Sequence, residues 1–188
     1  MRLTTIAVRA AFAAALVLVS ISHAQTDGLL LYMPLDDGSG DTATNTVGDD
    51  GVLVGSPTWV AGAVDSALEF DGTSNYVEIP LDLSPQAPGN QGQLSIAAWV
   101  KVLETNTDGH GQTRQPIVMK GSGDGWEYAL YVYDDFGAGL SVWNCAGSGV
   151  AEPSAPGALP QNEWHHVAGT FDAVDGIMVY VDGELVAE

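Results

Sequence analysis

The amino-acid sequence predicts an all-β protein, either a sandwich or a barrel, and three observations lead to that prediction. Eight Asp-Gly dipeptides are spread along the chain, and each is a strong turn signal because glycine accepts a positive φ. Short runs of β-branched and aromatic residues lie between these turns, and many alternate with a period of two. No stretch after residue 24 has the spacing of an amphipathic helix. Many short strands joined by frequent turns are typical of sandwiches and barrels.

The first 24 residues predict a signal peptide. Arg2 and Arg9 form a short positive region, residues 10–21 are apolar, and residues 22–24 offer small side chains for cleavage. The apolar run of about 12 residues is shorter than the roughly 20 that span a bilayer. We therefore expect the mature chain to begin near Gln25, without membrane insertion, and to be secreted, periplasmic or held at the cell surface. A buried amino-terminal helix and a retained membrane anchor are the alternatives.

The charge of the chain excludes several kinds of partner. The sequence has 24 acidic and 5 basic residues, a formal net charge of −19, and every acid lies after residue 24. A nucleic acid needs a cationic surface to neutralise its phosphates, so nucleic acid is excluded as a partner. An anionic membrane surface is disfavoured for the same reason. The apolar content of 46% is enough for a core and argues against a disordered acidic tail.

Strands are predicted wherever an apolar or aromatic run lies between two turn signals. The run 29–33 comes first, and the Asp-Gly turn at 71–72 joins 67–70 to 75–79 as a hairpin. A second tight hairpin is centred on the Asp-Gly turn at 182–183. In chain order, the predicted strands are 29–33, 51–54, 58–60, 67–70, 75–79, 94–102, 117–120, 127–133, 139–143, 164–171, 177–181 and 184–187.

Six segments together resemble a known family. In chain order they are LLYMPLDDGSG at 30–40, ALEFDGTSNYVEIP at 67–80, LSIAAWVK at 94–101, IVMKG at 117–121 followed by YALYV at 128–132, NEWHHVAGTFD at 162–172 and VYVDGELV at 179–186. They resemble the LamG-like jelly-roll domain of the concanavalin A-like lectin/glucanase superfamily. The resemblance implies a two-sheet antiparallel jelly-roll sandwich over residues 29–188, preceded by a short tail at 25–28.

The resemblance also implies a set of core residues and shows that the family's last strand is missing at the carboxyl end. The family's closing strand, similar to F-x-G-x-I-D-E-V-R-I-Y, is absent, and the chain stops inside a predicted strand. We therefore expect the domain to be incomplete at its carboxyl end and to be followed by further domains. Between two packed sheets the core layer is about 10 Å thick. The residues predicted to fill it are Phe70, Val77, Ile96, Ala98, Val100, Val167 and Val179, with Trp99 and Trp164 also buried.

Catalysis is disfavoured by the arrangement of acids. Glycosidases of this superfamily need two carboxylates roughly 5–10 Å apart across the scissile bond. Glu69 and Asp71 give the start of an E-x-D series, but Thr73 occupies the position of the next acid, and Asp71 falls within a turn signal. We therefore predict no catalytic residue.

Calcium is the one cofactor that the sequence suggests. Acidic loops that contain glycine suit this ion, which takes 6–8 oxygen ligands from carboxylates and carbonyls. Members of the superfamily often carry a structural calcium near the sheet ends, and the resemblance makes Asp36, Asp41, Asn45 and Asp71 the candidate ligands. The alternative is that these residues hold turns on an acidic, solvated surface.

Two tryptophans that a loop cannot bury by itself are candidates for sugar contacts. Trp126 ends one glycine-rich loop, and Trp143 lies at a strand end before another. With Asp124 and Asn144 they form the predicted ligand-binding patch, in which indoles face the apolar side of a pyranose and polar groups bind its hydroxyls. The alternative is that both indoles cap the core.

These observations predict a secreted, non-catalytic binding module that recognises a glycan or a cell-surface protein and belongs to a larger extracellular protein. The alternatives are a structural or adhesive spacer without its own ligand, and a fragment of a glycoside hydrolase. Cys145 is the only cysteine. It is either a small buried apolar residue or half of a disulfide whose partner lies beyond residue 188.

Overall fold

A computed structural model of the chain describes residues 28–80, 92–105, 114–122, 125–143 and 152–188. Within these ranges the secondary structure consists of strands and turns, without a helix, so the predicted all-β class is confirmed. The strands are β1 (Thr42–Ala43), β2 (Gly51–Val54), β3 (Thr58–Ala61), β4 (Ser66–Glu69), β5 (Tyr76–Glu78), β6 (Gln93–Lys101), β7 (Arg114–Ser122), β8 (Gly125–Tyr133), β9 (Ala138–Val142), β10 (Ser154–Ala155), β11 (Trp164–Asp172), β12 (Gly176–Val181) and β13 (Glu184–Ala187).

Two four-stranded antiparallel sheets form the main body of the fold. The front sheet has the strand order β13-β12-β11-β6, and the back sheet has the order β10-β9-β8-β7. The long step from β6 to β11 brings distant parts of the chain together, with Ala98 opposite Val167 in the ladder. A three-stranded sheet, β1-β2-β5, and the hairpin β3-β4 precede this body in the chain.

The core lies between the front and back sheets. Leu130 and Leu140 of the back sheet are fully buried, as are Val167 and Val179 of the front sheet, and all four belong to one apolar cluster. Burying a side chain of this size stabilises the fold by about 1.5–3 kcal/mol. Gly169 lets the sheets approach closely, because a Cβ atom there would lie 2.9 Å from Leu140 Cδ2. These contacts define a two-layer sandwich.

Side chains of β6 and β12 in the front sheet alternate between the core and the outside. In β12, Ile177, Val179 and Val181 are buried while the residues between them are half-buried. Asp182 and Gly183 both have positive φ angles, 51° and 85°, which is the backbone of the two-residue hairpin turn predicted at this place. The turn therefore sets the register in which β13 pairs with β12.

Two of the predicted core residues are exposed. Trp99 is 55% exposed and Phe70 is 44% exposed. The prediction for Trp99 was wrong because Ala98 and Val100 point inward, and neighbours along a strand point to opposite faces. Phe70 directly follows β4, outside its ladder. The other predicted core residues are buried or half-buried, namely Val77, Ile96, Ala98, Val100, Trp164, Val167 and Val179.

The predicted strands coincide with observed ones except at residues 29–33. There Tyr32 N donates to Asn45 Oδ1, at 3.2 Å, and the Tyr32 carbonyl accepts from Thr46 N, at 3.0 Å. The segment is therefore held by one side-chain bond and one backbone bond, without a strand ladder. β7, at the edge of the back sheet, is longer than the predicted strand 117–120. It contains Pro116, and its pairing with β8 is irregular between Pro116 and Val118.

Several predictions fall outside the described residues. These are the signal peptide at 1–24, the tail at 25–27, and the residues Asp124, Asn144 and Cys145. Among the residues that the structure does describe, no helix is long and apolar enough to cross a membrane.

Candidate functional site

Part of the predicted ligand-binding patch lies at one end of the back sheet. The backbone of Trp126 belongs to β8 and pairs with Gly121 of β7. Trp143 directly follows β9, and its backbone nitrogen donates to the Glu127 carbonyl at 2.8 Å. The two tryptophans therefore stand on neighbouring strands, and Trp143 is half-buried. Asp124, Asn144 and the side chain of Trp126 are outside the described part of the chain, so the patch as a whole stays a prediction.

The outer face of the back sheet carries a second group of polar and aromatic side chains. Leu130, Val132 and Leu140 point into the core, so the residues between them on β8 and β9 point to the outer face. We call the group there the outer-face cluster. Its members are Arg114 at the start of β7, Tyr131 and Tyr133 of β8, Ser141 of β9, and Glu152 just before β10.

An ion pair forms the centre of the outer-face cluster. Arg114 Nη1 donates to Glu152 Oε1, and Tyr133 Oη donates to the same oxygen at 2.9 Å. The guanidinium carbon of Arg114 lies 4.9 Å from the centre of the Tyr131 ring, a cation–π contact. The side chains of Arg114 and Glu152 keep 26% and 38% of their surface exposed, so a ligand could reach both charges.

A glycine on β9 makes room for the Tyr133 ring. A Cβ atom on Gly139 would lie 2.5 Å from Tyr133 Cε2 and 3.0 Å from Tyr133 Oη. The ring therefore lies against bare backbone, with its hydroxyl directed at Glu152. Tyr131 stands directly opposite Gly139 in the ladder, and its ring centre is 6.3 Å from that of Tyr133.

Hydrogen bonds fix the charge states within the cluster. Burial would raise the pKa of Glu152, but the nearby Ser141 hydroxyl, the hydrogen bonds from Tyr133 and Arg114, and the Arg114 charge outweigh it and hold that pKa below the usual glutamate value. Burial, and next the hydrogen bond to Glu152, raise the pKa of Tyr133. At neutral pH the cluster therefore presents a cation, an anion and neutral phenol groups.

The hydroxyl of Ser141 lies beside this ion pair without a well-formed hydrogen bond. The residue is 2% exposed, and its Oγ makes no hydrogen bond of normal geometry with a described residue. It still lies close enough to Glu152 to lower the pKa of that carboxyl. A buried hydroxyl without a well-formed bond carries a desolvation cost.

Sequence reasoning missed this cluster for a physical reason. The alternation of Tyr131 and Tyr133 shows that they share a face, but Glu152 is 38 residues away from Arg114 in the chain. The available signal was the rarity of cations, because residues 28–188 contain just three, at Lys101, Arg114 and Lys120. The last of these is also paired, with Lys120 Nζ 2.9 Å from Glu127 Oε2.

The candidate calcium ligands are mostly engaged in turns. Asn45 is buried, its Oδ1 accepts from the nitrogens of Tyr32 and Val47, and its Nδ2 donates to the Asp49 carbonyl. Asp36 accepts a long bond, 3.5 Å, from the nitrogen of Ser66.

Asp71 holds its own turn in the same way. Its Oδ1 accepts from the backbone nitrogens of Thr73, Ser74 and Asn75, and its Oδ2 accepts from the Ser74 hydroxyl. These bonds hold the pKa of Asp71 far below the usual aspartate value. The side-chain oxygens of Asn45 and Asp71 would have to exchange these partners before they could bind a metal ion.

The described residues do not bring three or more His, Cys, Asp or Glu side chains together around one point where an ion could bind. Asp41 and Asp36 are exposed, as a solvated turn acid would be. Calcium binding by Asp36, Asp41, Asn45 and Asp71 therefore stays a prediction.

A comparison with protein families gives one match. A laminin G-type family model, described as the concanavalin A-like lectin/glucanases superfamily, matches residues 71–188, which is more than half of the chain. The match begins in the turn between β4 and β5 and includes both sheets of the sandwich and every member of the outer-face cluster. No curated protein matches the chain in a sequence comparison.

Proposed function

The chain belongs to the concanavalin A-like lectin/glucanase superfamily, and from this membership we propose that it is a secreted, non-catalytic module that binds carbohydrate through the outer face of its back sheet. The membership supports a binding module in general. We propose beyond it that the ligand is a carbohydrate, that the chain is secreted and that it does not catalyse a reaction.

The observation that carries the proposal is the partly exposed ion pair between Arg114 and Glu152, with the Tyr133 hydroxyl on the same carboxylate oxygen and the buried Tyr131 ring beside the guanidinium. A sugar hydroxyl both donates and accepts, so one hydroxyl can donate to a carboxylate while its neighbour accepts from a guanidinium. Charge-assisted hydrogen bonds of this kind are the strong ones, and each contributes about 1.5–3 kcal/mol.

The net charge narrows the class of glycan. A formal charge of −19 repels a polyanionic polysaccharide, whereas a neutral glycan meets no such barrier. A single site of this size has modest affinity, and repetition within a larger protein would raise it through avidity. We therefore propose a neutral glycan, at the cell surface or in the surroundings of the cell.

The proposal is tested with the secreted chain and four neutral hexasaccharides, built from β-1,4-glucose, α-1,4-glucose, β-1,4-mannose and β-1,4-xylose, in isothermal titration calorimetry. At least one probe should bind. Arg114→Ala and Glu152→Gln should each weaken that binding at least about tenfold, because tenfold in affinity is 1.4 kcal/mol, less than one charged hydrogen bond.

Lys120→Ala is the matched control, since it breaks the other ion pair of the back sheet, that of Lys120 with Glu127. It should leave the affinity within about twofold, as expected for an ion pair that does not contact the ligand. Trp126→Ala and Trp143→Ala test the patch predicted from the sequence in the same titration. Failure of every probe to bind would favour a spacer without a ligand, and release of reducing sugar would show a glycoside hydrolase.

A further inference from the structure

The outer face of the front sheet carries an exposed indole, that of Trp99, among small, apolar and aromatic side chains. Trp99 is 55% exposed at the edge strand β6, and the β-ladder places it opposite His166. The next row across the sheet runs from Ala97 through Ala168 and Tyr180 to Leu185, on β6, β11, β12 and β13 in turn. We call these six residues the Trp99 platform.

Small residues leave the indole accessible from the side. Ala97 is exposed and Ala168 half-buried, and both place a short side chain beside Trp99. The ring of His166 contacts the indole edge to face, with ring centres 5.4 Å apart and planes at 64°. A packed neighbour on one side therefore fixes the orientation of the indole before any ligand arrives, which lowers the entropic cost of binding.

The centre of the platform is uncharged in a strongly acidic chain. The row of Ala97 and the row below it, Ser95, Thr170 and Met178, carry no charged side chain, whereas Lys101, Asp172, Asp182 and Glu184 stand at the rim. The whole chain has 24 acids.

This charge distribution favours a neutral ligand over a charged one at the Trp99 platform. A polyanion and a second copy of this chain would both be repelled by the net charge of −19, and a cationic peptide would bind the acidic rim in preference to the uncharged centre. A neutral molecule with an apolar face matches the surface. The axial C–H groups of a pyranose supply such a face, since they carry a partial positive charge and the face of an indole is negative.

We propose that the Trp99 platform is a second carbohydrate site, in which a neutral pyranose stacks on Trp99 over Ala97 and Ala168 while the ring of His166 flanks it. The inference rests on the proposed function for the class of ligand, but it uses the opposite sheet and different residues. Two sites on opposite sides of the sandwich let one chain bridge two glycan strands, which the outer-face cluster alone cannot do.

The experiment uses the secreted chain, the four neutral hexasaccharides and a galacturonate hexamer as the charged comparison. Trp99→Ala should lower the affinity of at least one binding event about tenfold or more, and the calorimetric stoichiometry should fall from two sites to one. Trp99→Phe keeps a flat ring and should retain part of the affinity. Tyr76→Ala is the matched control, because Tyr76 is 52% exposed on β5, and it should bind as the unchanged chain does.

A second variant makes the test independent of the tryptophan. Ala97→Glu places a larger, charged side chain beside Trp99 and should abolish binding at the platform without disturbing the core, since Ala97 is exposed. Circular dichroism of both variants should match that of the unchanged chain.

Binding that is lost in Arg114→Ala but unchanged in Trp99→Ala and Ala97→Glu overturns this inference and leaves the proposed function in place. Loss in Trp99→Ala with full binding in Arg114→Ala supports the platform and overturns the outer-face cluster as a glycan site. Failure of the unchanged chain to bind any probe overturns both. A dimer in sedimentation that Trp99→Ala converts to a monomer, without glycan binding, assigns the platform to a second copy of the chain and also overturns the inference.

Discussion

His165 and Asp182 connect the start of β11 to the turn between β12 and β13. His165 Nδ1 lies 2.8 Å from Asp182 Oδ2, and the other carboxylate oxygen accepts from the backbone nitrogen of His166 at 2.9 Å. The Asp182 nitrogen donates in return to the His166 carbonyl at 2.8 Å. One aspartate thus ties the hairpin turn to its neighbouring strand, directly below the His166 ring that contacts Trp99.

Asp182 should make the stability of the chain depend on acidity. The hydrogen bond from His165, then that from His166 N, lowers its pKa in the folded chain. A lowered folded pKa means stabilisation that is present above the unfolded value of about 3.9 and is lost as the pH falls through the folded pKa. Asp182→Asn should therefore be less stable than the unchanged chain at pH 7, with the difference shrinking toward pH 2, as measured by urea unfolding.

Asn tolerates the positive φ of 51° at this position, so the substitution removes charge with little backbone strain. Asp175→Asn, in the preceding turn, is the control and should show a smaller difference. A stability difference for Asp182→Asn that is constant between pH 7 and pH 2 would show that the charge of Asp182 is not the cause.

Gly139→Ala should destabilise the chain through the outer-face cluster. The new methyl group meets the Tyr133 ring at 2.5 Å and must push it away from Glu152. Overpacking of this kind costs about 1–3 kcal/mol in the free energy of unfolding. In a Tyr133→Ala background the cost should fall by more than half, because the main obstacle is gone. Equal costs in both backgrounds would show that the Pro153 carbonyl, 3.0 Å from the same position, is the obstacle instead.

Asp71→Ala should lower the melting temperature to the same extent in EDTA and in calcium chloride. The carboxylate accepts four hydrogen bonds within its own turn, and they need no metal ion. Differential scanning fluorimetry in the two buffers measures the effect. A calcium-dependent rise in the melting temperature of the unchanged chain that disappears in Asp71→Ala would instead establish the predicted calcium site.

Export should remove the first 24 residues. Expression in a host with a general secretion pathway should yield a chain whose intact mass corresponds to a start at Gln25, outside the cytoplasm, because small residues precede that position. Ala24→Arg should block the cleavage and leave the precursor. Recovery of the unprocessed 19.5 kDa chain in the cytoplasm would contradict the prediction.

Local patterns were enough to predict most of the strands. The runs between Asp-Gly turns became strands, and the hairpin at Asp182 and Gly183 formed where the dipeptide indicated it. Trp99 shows the limit of residue type as a guide. A large aromatic residue suggests a core position, but the period of two, with Ala98 and Val100 inward, decides the face.

The candidate sites could not be predicted in the same way, because their members meet across sheets. The carboxylate of Glu152 reaches Arg114 because β7 and β10 lie on either side of β8 and β9. No local sequence pattern indicates this strand order. The Trp99 platform likewise depends on β6 pairing with β11, which puts Ala97 beside Ala168. Strand order is set by the packing of the whole domain.

The irregular strand β7 has a consequence for self-association. Proline has no N–H group to offer a neighbouring strand, and the bulge after Pro116 twists the edge out of line with any flat partner. Lys120 adds a charge to the same border. Fibril growth by strand addition would therefore be disfavoured at this margin of the back sheet.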